Sequence, residues 1–308
     1  MNQKSLTNPS SVFISLDSNI HRMTVELLEQ ADIRIGGNRP WDMHLKASNV
    51  PERAFAHGSV GLGEAYMDGD WNAESLDEFF CHLLRAHLDQ HVQPFKLMFH
   101  ALRVRLLNRQ NTTRAWQVGE AHYDLGNDFY AAMLDPRMAY TCGYWENASN
   151  LAEAQEAKLE LICRKLKLKP GMRVLDIGCG WGSFMAYAAE HYGVECVGVT
   201  ISKEQTEWAK KRYAGLPLEF RLQDYREVNG DFDRVVSVGM FEHVGRKNHR
   251  EFMEVASRCL VDDGLCLLHT IGKNERNTTP DPWIDKYIFP NGCLLYTSPS
   301  PRDGLLSR

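Results

Sequence analysis

From Leu151 onward the chain alternates short apolar runs with stretches of helical spacing. This alternation limits the folds open to it more than any other feature. Leu151 to Leu166 reads as a helix. Strands are expected at 173–178, 194–200, 218–222, 232–238 and 264–271, with helices at 182–191, 202–214 and 248–260. Strands separated by helical stretches imply a doubly wound parallel sheet. Ligands of such sheets bind in the crevice outside the carboxyl ends of the strands. The residues at strand ends therefore carry most of the functional information.

The first strand ends in the most telling string, VLDIGCGWG at 174–182. Val174, Leu175 and Ile177 surround Asp176, and glycines follow at 178, 180 and 182. Glycine has no Cβ, so backbone and ligand can approach closely, and the next helix aims free N–H groups at the same place. The spacing GxGxG is not the GxGxxG of dinucleotide folds. A glycine turn alone is equally compatible with an ordinary strand-to-helix connection.

The other strand ends add to it. In this architecture the 174–182 loop, with Asp176, Gly178, Cys179, Gly180, Trp181 and Gly182, would hold the amino-acid part of S-adenosylmethionine. Thr200, Ile201, Ser202 and Gln205 follow the second strand and would face its ribose or methionine end. Gln223, Asp224 and Tyr225 follow the third, where a carboxylate can accept the adenine amino group. Ser202 and Gln205 also make a good capping box. GMFEHVG (239–245) places Glu242 and His243 after the fourth strand, and LLHTIG (267–272) places His269 and Ile271 after the fifth. Cys142 would converge on the same crevice. The stretch before the sheet is dense in aromatics, at Tyr123, Phe129, Tyr130, Tyr140, Tyr144 and Trp145. They form either a hydrophobic lid or a pocket that stabilises a cation through ring faces.

With 308 residues and 44% hydrophobic composition, the chain can bury a full core, and its length suggests about two domains. Residues 1–90 are expected to form a small α+β accessory domain, with a helix over Asn19 to Ala31. A second helix there would carry an apolar core stripe of Leu76, Phe79, Phe80, Leu83, Leu84 and Leu88. Residues 92–118 hold Lys96, Arg103, Arg105, Arg109 and Arg114 and no acid, interleaved with apolar residues. Such a segment is either a basic amphipathic helix on an anionic lipid surface or a solvated linker helix. A net charge of −5 argues against a general nucleic-acid binder. No apolar run is long enough to span a membrane, and the N-terminus lacks a signal-peptide pattern. The eight cysteines show no metal spacing, so free thiols in a reducing cytoplasm are expected.

Taken together, HYDLGNDFY, MAYTCGYW, VLDIGCGWG, GVTIS, VGMFEHVG, LLHTIG and YIFPNGC resemble the bacterial cyclopropane-fatty-acyl-phospholipid synthases, from about residue 20 to Cys293. The resemblance implies a Rossmann-like class I S-adenosylmethionine methyltransferase domain over 121–294, joined to the 1–90 accessory domain by a 91–120 linker helix. The implied activity is transfer of the methyl of S-adenosylmethionine, as methylene, to a cis double bond of an unsaturated phospholipid acyl chain. It further implies a bicarbonate ion as catalytic base, with ligands corresponding to Cys142, Glu242, His269 and the backbone of Ile271. The cofactor contacts would include Tyr140 and Thr141 besides the strand-end residues. A homodimer, cytoplasmic and peripherally attached to the inner membrane surface, is also implied.

After Leu294 the sequence LYTSPSPRDGLLSR does not resemble the family. A truncation joined to foreign sequence at 295–308 is expected, leaving the sheet without its last strands, its fifth strand as a bare edge and the chain inactive or poorly folded. Two other readings remain open. One is a different lipid or sterol C- or O-methyltransferase, and the other a lipid-surface binding protein without turnover.

Overall fold

A computed structural model describes residues 19–88, 126–273, 281–288 and 295–296. The basic 92–118 segment, Tyr123, most of YIFPNGC and residues 297–308 lie outside the described residues. The chain divides into two compact units: Met1–Leu106 with Asp281–Trp283, and Leu107–Pro280 with Ile284–Arg308.

The first unit contains α1 (Asn19–Gln30), β1 (His44–Leu45), α2 (Val50–His57), α3 (Ser59–Met67), β2 (Trp71–Asn72) and α4 (Leu76–Arg85). The β1–β2 pair is antiparallel, with His44 opposite Asn72. Its core gathers Leu28, Ile33, Val50, Ala65, Trp71 and Phe79. Gly61 lies inside α3 because a Cβ there would run into the carbonyl of Arg53, so the glycine permits close packing of α2 and α3. The expected apolar stripe on α4 is only partly buried. Phe79 is fully enclosed, whereas Phe80 and Leu84 are exposed, since one helix face is all the small core can cover.

In the second unit come α5 (Asn127–Met133), α6 (Leu151–Lys165), β3 (Arg173–Ile177), α7 (Ser183–Tyr192), β4 (Glu195–Thr200), α8 (Lys203–Arg212), β5 (Leu218–Leu222), β6 (Phe232–Val238), α9 (His249–Arg258) and β7 (Leu260–His269). The five strands β3 to β7 form one parallel sheet in the order β5-β4-β3-β6-β7. Strand order reverses between β3 and β6, which is where such sheets open a crevice.

Alternation sorts the side chains to the two faces. Val174, Cys196 and Val236 pack with Leu159, Ile162 and Met185 on one side, while Leu175, Val197 and Val235 pack with Phe252 and Val255 on the other. Truncating a fully buried residue such as Leu175 costs about 2–5 kcal/mol. Helix starts are fixed locally: Asn150 accepts from the Glu153 N–H at 3.0 Å, and Ser202 from the Gln205 N–H at 3.3 Å.

β7 begins four residues before its expected start at 264. The VDDG segment joins the strand through an irregularity between Phe232 and Arg234 of β6, with Asp263 at φ +64°. Among the described residues β7 is one edge of the sheet, and Cys266 is exposed on it. Beyond it, Gly272–Lys273 (β8) pairs in parallel with Leu295–Tyr296 (β9), the first residues of the tail, in a separate small sheet.

Candidate active site

The carboxyl ends of β3 and β6 face one cavity of about 400 Å³. Its floor is the glycine loop. The N–H groups of Gly178 and Cys179 both donate to the Val199 carbonyl, at 2.9 and 3.1 Å, so the loop is tied to β4. Gly178 has φ +83°, and a Cβ on it would stand 2.5 Å from Met240. Only glycine fits there.

Most of the residues expected at the site line this cavity: Tyr140, Thr141 and Cys142; Asp176, Gly178, Cys179, Gly180 and Trp181; Thr200, Ile201 and Gln205; Gln223, Asp224 and Tyr225; Glu242, His269 and Ile271. Two do not. Gly182 starts α7, and its Cα packs on the Phe220 ring. Ser202 is buried as the cap of α8. Its N–H donates to Thr200 Oγ1, which in turn donates to Gln205 Oε1 at 2.9 Å. Ser202 thus organises Thr200 and Gln205 rather than facing the space. The aromatic pocket is also smaller than expected. Tyr140 and Trp181 line the cavity, Tyr130 is buried against the Trp181 ring, and Phe129, Tyr144 and Trp145 are exposed away from it.

Buried acids and bases together set the electrostatics of the cavity. Asp176 is buried, and loss of water pushes its carboxyl up to about 7. A cationic amine beside it would restore the ionised form, so Asp176 fits the α-amino group of S-adenosylmethionine. Asp224 is already held: its Oδ1 accepts from the Arg226 N–H at 3.0 Å and its Oδ2 pairs with the Arg226 guanidinium at 3.1 Å. Each oxygen keeps a lone pair for an adenine amino group.

Across the cavity, Glu242 is buried, and its Oε1 accepts from the Ile271 N–H at 2.7 Å. The Ile271 N–H, expected to be an anion ligand, is thus given to Glu242. Glu242 Oε2 and His269 Nδ1 are buried with no partner among the described residues. His269 Nε2 stands 3.6 Å from Cys142 Sγ. Burial lowers the His269 pKa, and the Lys158 charge lowers it further.

Sequence reading missed Lys158, Arg226 and Met240, all of which line the cavity. Lys158 stands out only once the helix is packed. It sits among Ala154, Gln155, Leu159 and Ile162 on the buried face of α6, where a lysine is out of place.

Residues 110–299 match the sequence model of the mycolic acid cyclopropane synthetases. The chain belongs to that family. Its cyclopropane synthases add a methylene across a lipid double bond, and other relatives are named as fatty acid methyltransferases. The cyclopropane-fatty-acyl-phospholipid synthase of Escherichia coli K12 is 53% identical over 279 residues, 90% of this chain and 73% of the relative. The cyclopropane synthase MmaA2 of Mycobacterium tuberculosis superposes with a TM-score of 0.56 at 36% identity, covering 61% of this chain and 72% of the neighbour. The mycolic acid cyclopropane synthase CmaA1, solved with SAH and CTAB, gives a TM-score of 0.54 at 38% identity, covering 59% and 70%. This family member is therefore an S-adenosylmethionine-dependent methyltransferase with the parallel sheet of that fold.

Proposed function

We propose that the chain forms a cyclopropane on the cis double bond of an unsaturated phospholipid acyl chain, with a bicarbonate ion as the proton acceptor. The observation that carries the base assignment is the buried Glu242 carboxylate, which has one oxygen held by Ile271 and the other unpartnered among the described residues. A carboxylate oxygen only accepts. An anion without a proton would be repelled by it, whereas bicarbonate carries one O–H that can donate to Oε2. His269 Nδ1, when it carries the ring proton, donates to an oxygen of the same ion. Cys142 borders the same space.

When bound, S-adenosylmethionine supplies an electrophilic methyl group. Asp176 holds its amino end, Asp224 with Arg226 its adenine end, and Thr200 with Gln205 its polar middle. An alkene is a weak nucleophile, so positioning and the exclusion of water carry most of the burden. Ring closure requires a cation on the acyl chain to lose one proton. Tyr140 and Trp181 keep that space apolar, while Glu242 and His269 fix the group that takes the proton away.

The basic residues of 92–118 support a peripheral contact with an anionic bilayer surface at its cytoplasmic face; the homodimer rests on the family resemblance alone. No helix among the described residues is long and apolar enough to cross a membrane. The base assignment is tested by turnover in carbon-dioxide-free buffer. The rate should collapse and return with added bicarbonate, but not with nitrate. An unchanged rate without bicarbonate would remove the ion from the mechanism.

A further inference from the structure

Helix α6 turns two long polar side chains, Gln155 and Lys158, into the core of the sheet domain, where both are buried. Both reach the 139–142 strap at the front of the cavity. Gln155 Nε2 donates to the carbonyls of Ala139 at 3.2 Å and Thr141 at 2.7 Å. Lys158 Nζ donates to Thr141 Oγ1 at 2.7 Å. The Thr141 side chain also lies against the Cα of Gly239, so it is wedged between β6 and the lysine. Further along, the Tyr144 N–H donates to the Ala154 carbonyl at 2.8 Å.

Gln155 alone could serve as a strap anchor, but an ammonium is an expensive one. Lys158 has no ion pair among the described residues, and burying an unpaired cation is unfavourable. A neutral side chain would hold Thr141 without that cost. The charge makes sense if something negative enters the cavity that Lys158 lines. Asp135, a carboxylate whose charge favours the ammonium, spends its two oxygens on the N–H groups of Arg137 and Ala139.

We propose that Lys158 is a positioning residue with an electrostatic role. Through Thr141 it fixes the 139–142 strap, and its charge lets the cavity accept an anion beside the Glu242 carboxylate. This rests on the bicarbonate reading above. Without Lys158, two negative groups would share one cavity with less positive charge between them. Burial brings the ammonium down to about 8, so its charge is present below that pH and lost above it. The titratable groups around it are Cys142 on the strap, Asp135 before it and His269 on β7, with Glu242 and Asp176 on the other walls of the cavity.

Anion binding can be read without turnover, from the rise in melting temperature of the full chain, saturated with SAH, as bicarbonate is added at constant ionic strength. In the wild type the half-saturating bicarbonate concentration should rise as the pH is taken from about 7 to about 9. Lys158→Met should raise it by about tenfold or more at neutral pH and flatten that pH dependence, and Lys158→Arg should restore it to within a few-fold. An unchanged half-saturation in Lys158→Met, or a wild-type value flat with pH, overturns the inference while leaving bicarbonate in place. If the Met variant does not fold, Lys158→Gln, which keeps a donor for Thr141 Oγ1 without the charge, takes its place with the same expected loss. No stabilisation of the wild type by bicarbonate overturns this inference and the bicarbonate reading together.

Discussion

Replacing Asp176 by asparagine should strengthen the empty protein and weaken its grip on the cofactor. The carboxyl is fully enclosed, and burial moves it from 3.8 up to about 7. At 1.36 kcal/mol per pKa unit, holding it ionised in the fold costs up to about 4 kcal/mol. The folded pKa is raised, so the proton is kept in the fold and shed by the unfolded chain between pH 3.8 and about 7. Stability from this group is therefore full below 3.8 and gone above about 7. Asparagine has the same shape and no charge. At about pH 8 Asp176→Asn should melt several degrees higher than the wild type, and the gap should close as the pH is lowered toward about 4. Calorimetric titration with SAH should show the opposite effect: affinity falls by about tenfold to a hundredfold, because a buried carboxylate no longer meets the ligand's ammonium. A lower melting temperature for the variant at about pH 8, or unchanged SAH affinity, would show that Asp176 is not a desolvated counter-ion for the cofactor.

Other perturbations probe the rest of the site. Gly178→Ala should abolish detectable SAH binding, because its Cβ would sit 2.5 Å from Met240 at φ +83°; retained affinity would refute the cradle. Glu242→Gln keeps an acceptor for the Ile271 N–H but loses the acceptor facing the cavity. It should leave SAH affinity unchanged and lower turnover by about 10²–10⁴-fold; full turnover would move the base elsewhere. Neutralising Lys96, Arg103, Arg105, Arg109 and Arg114 together should weaken sedimentation with anionic vesicles, most at low salt. Equal binding with and without these charges would leave 92–118 as a linker.

The sheet was legible because its physics is local. The short apolar runs VLDI and ECVGVT, the first closed by glycines in the turn after β3, place β3, β4 and the cradle within a residue or two of where they lie. Asp224 and Glu242 were readable for the same reason, as polar residues at the ends of apolar strands. Side chains that act across elements were not. Lys158 looks like an ordinary helical lysine until α6 is packed on the sheet and its buried face is known. Ser202 could be a cofactor ligand or a cap on spacing alone, and only the hydrogen bonds among Thr200, Ser202 and Gln205 decide for the cap. The exposure of Phe80 and Leu84 was hidden because helical periodicity gives a stripe but not its width. The β7 irregularity was missed because VDDG has the composition of a turn.

The reaction assigned to this chain builds a cyclopropane on a phospholipid double bond. The decisive experiment incubates the chain with methyl-labelled S-adenosylmethionine and vesicles of a cis-unsaturated phospholipid, then reads the acyl chains by mass spectrometry and proton NMR. The expected acyl chains have gained one labelled CH2, lost their olefinic protons and acquired cyclopropane-ring protons. Label in a methyl branch or an O-methyl group, with no cyclopropane-ring protons, would contradict that assignment.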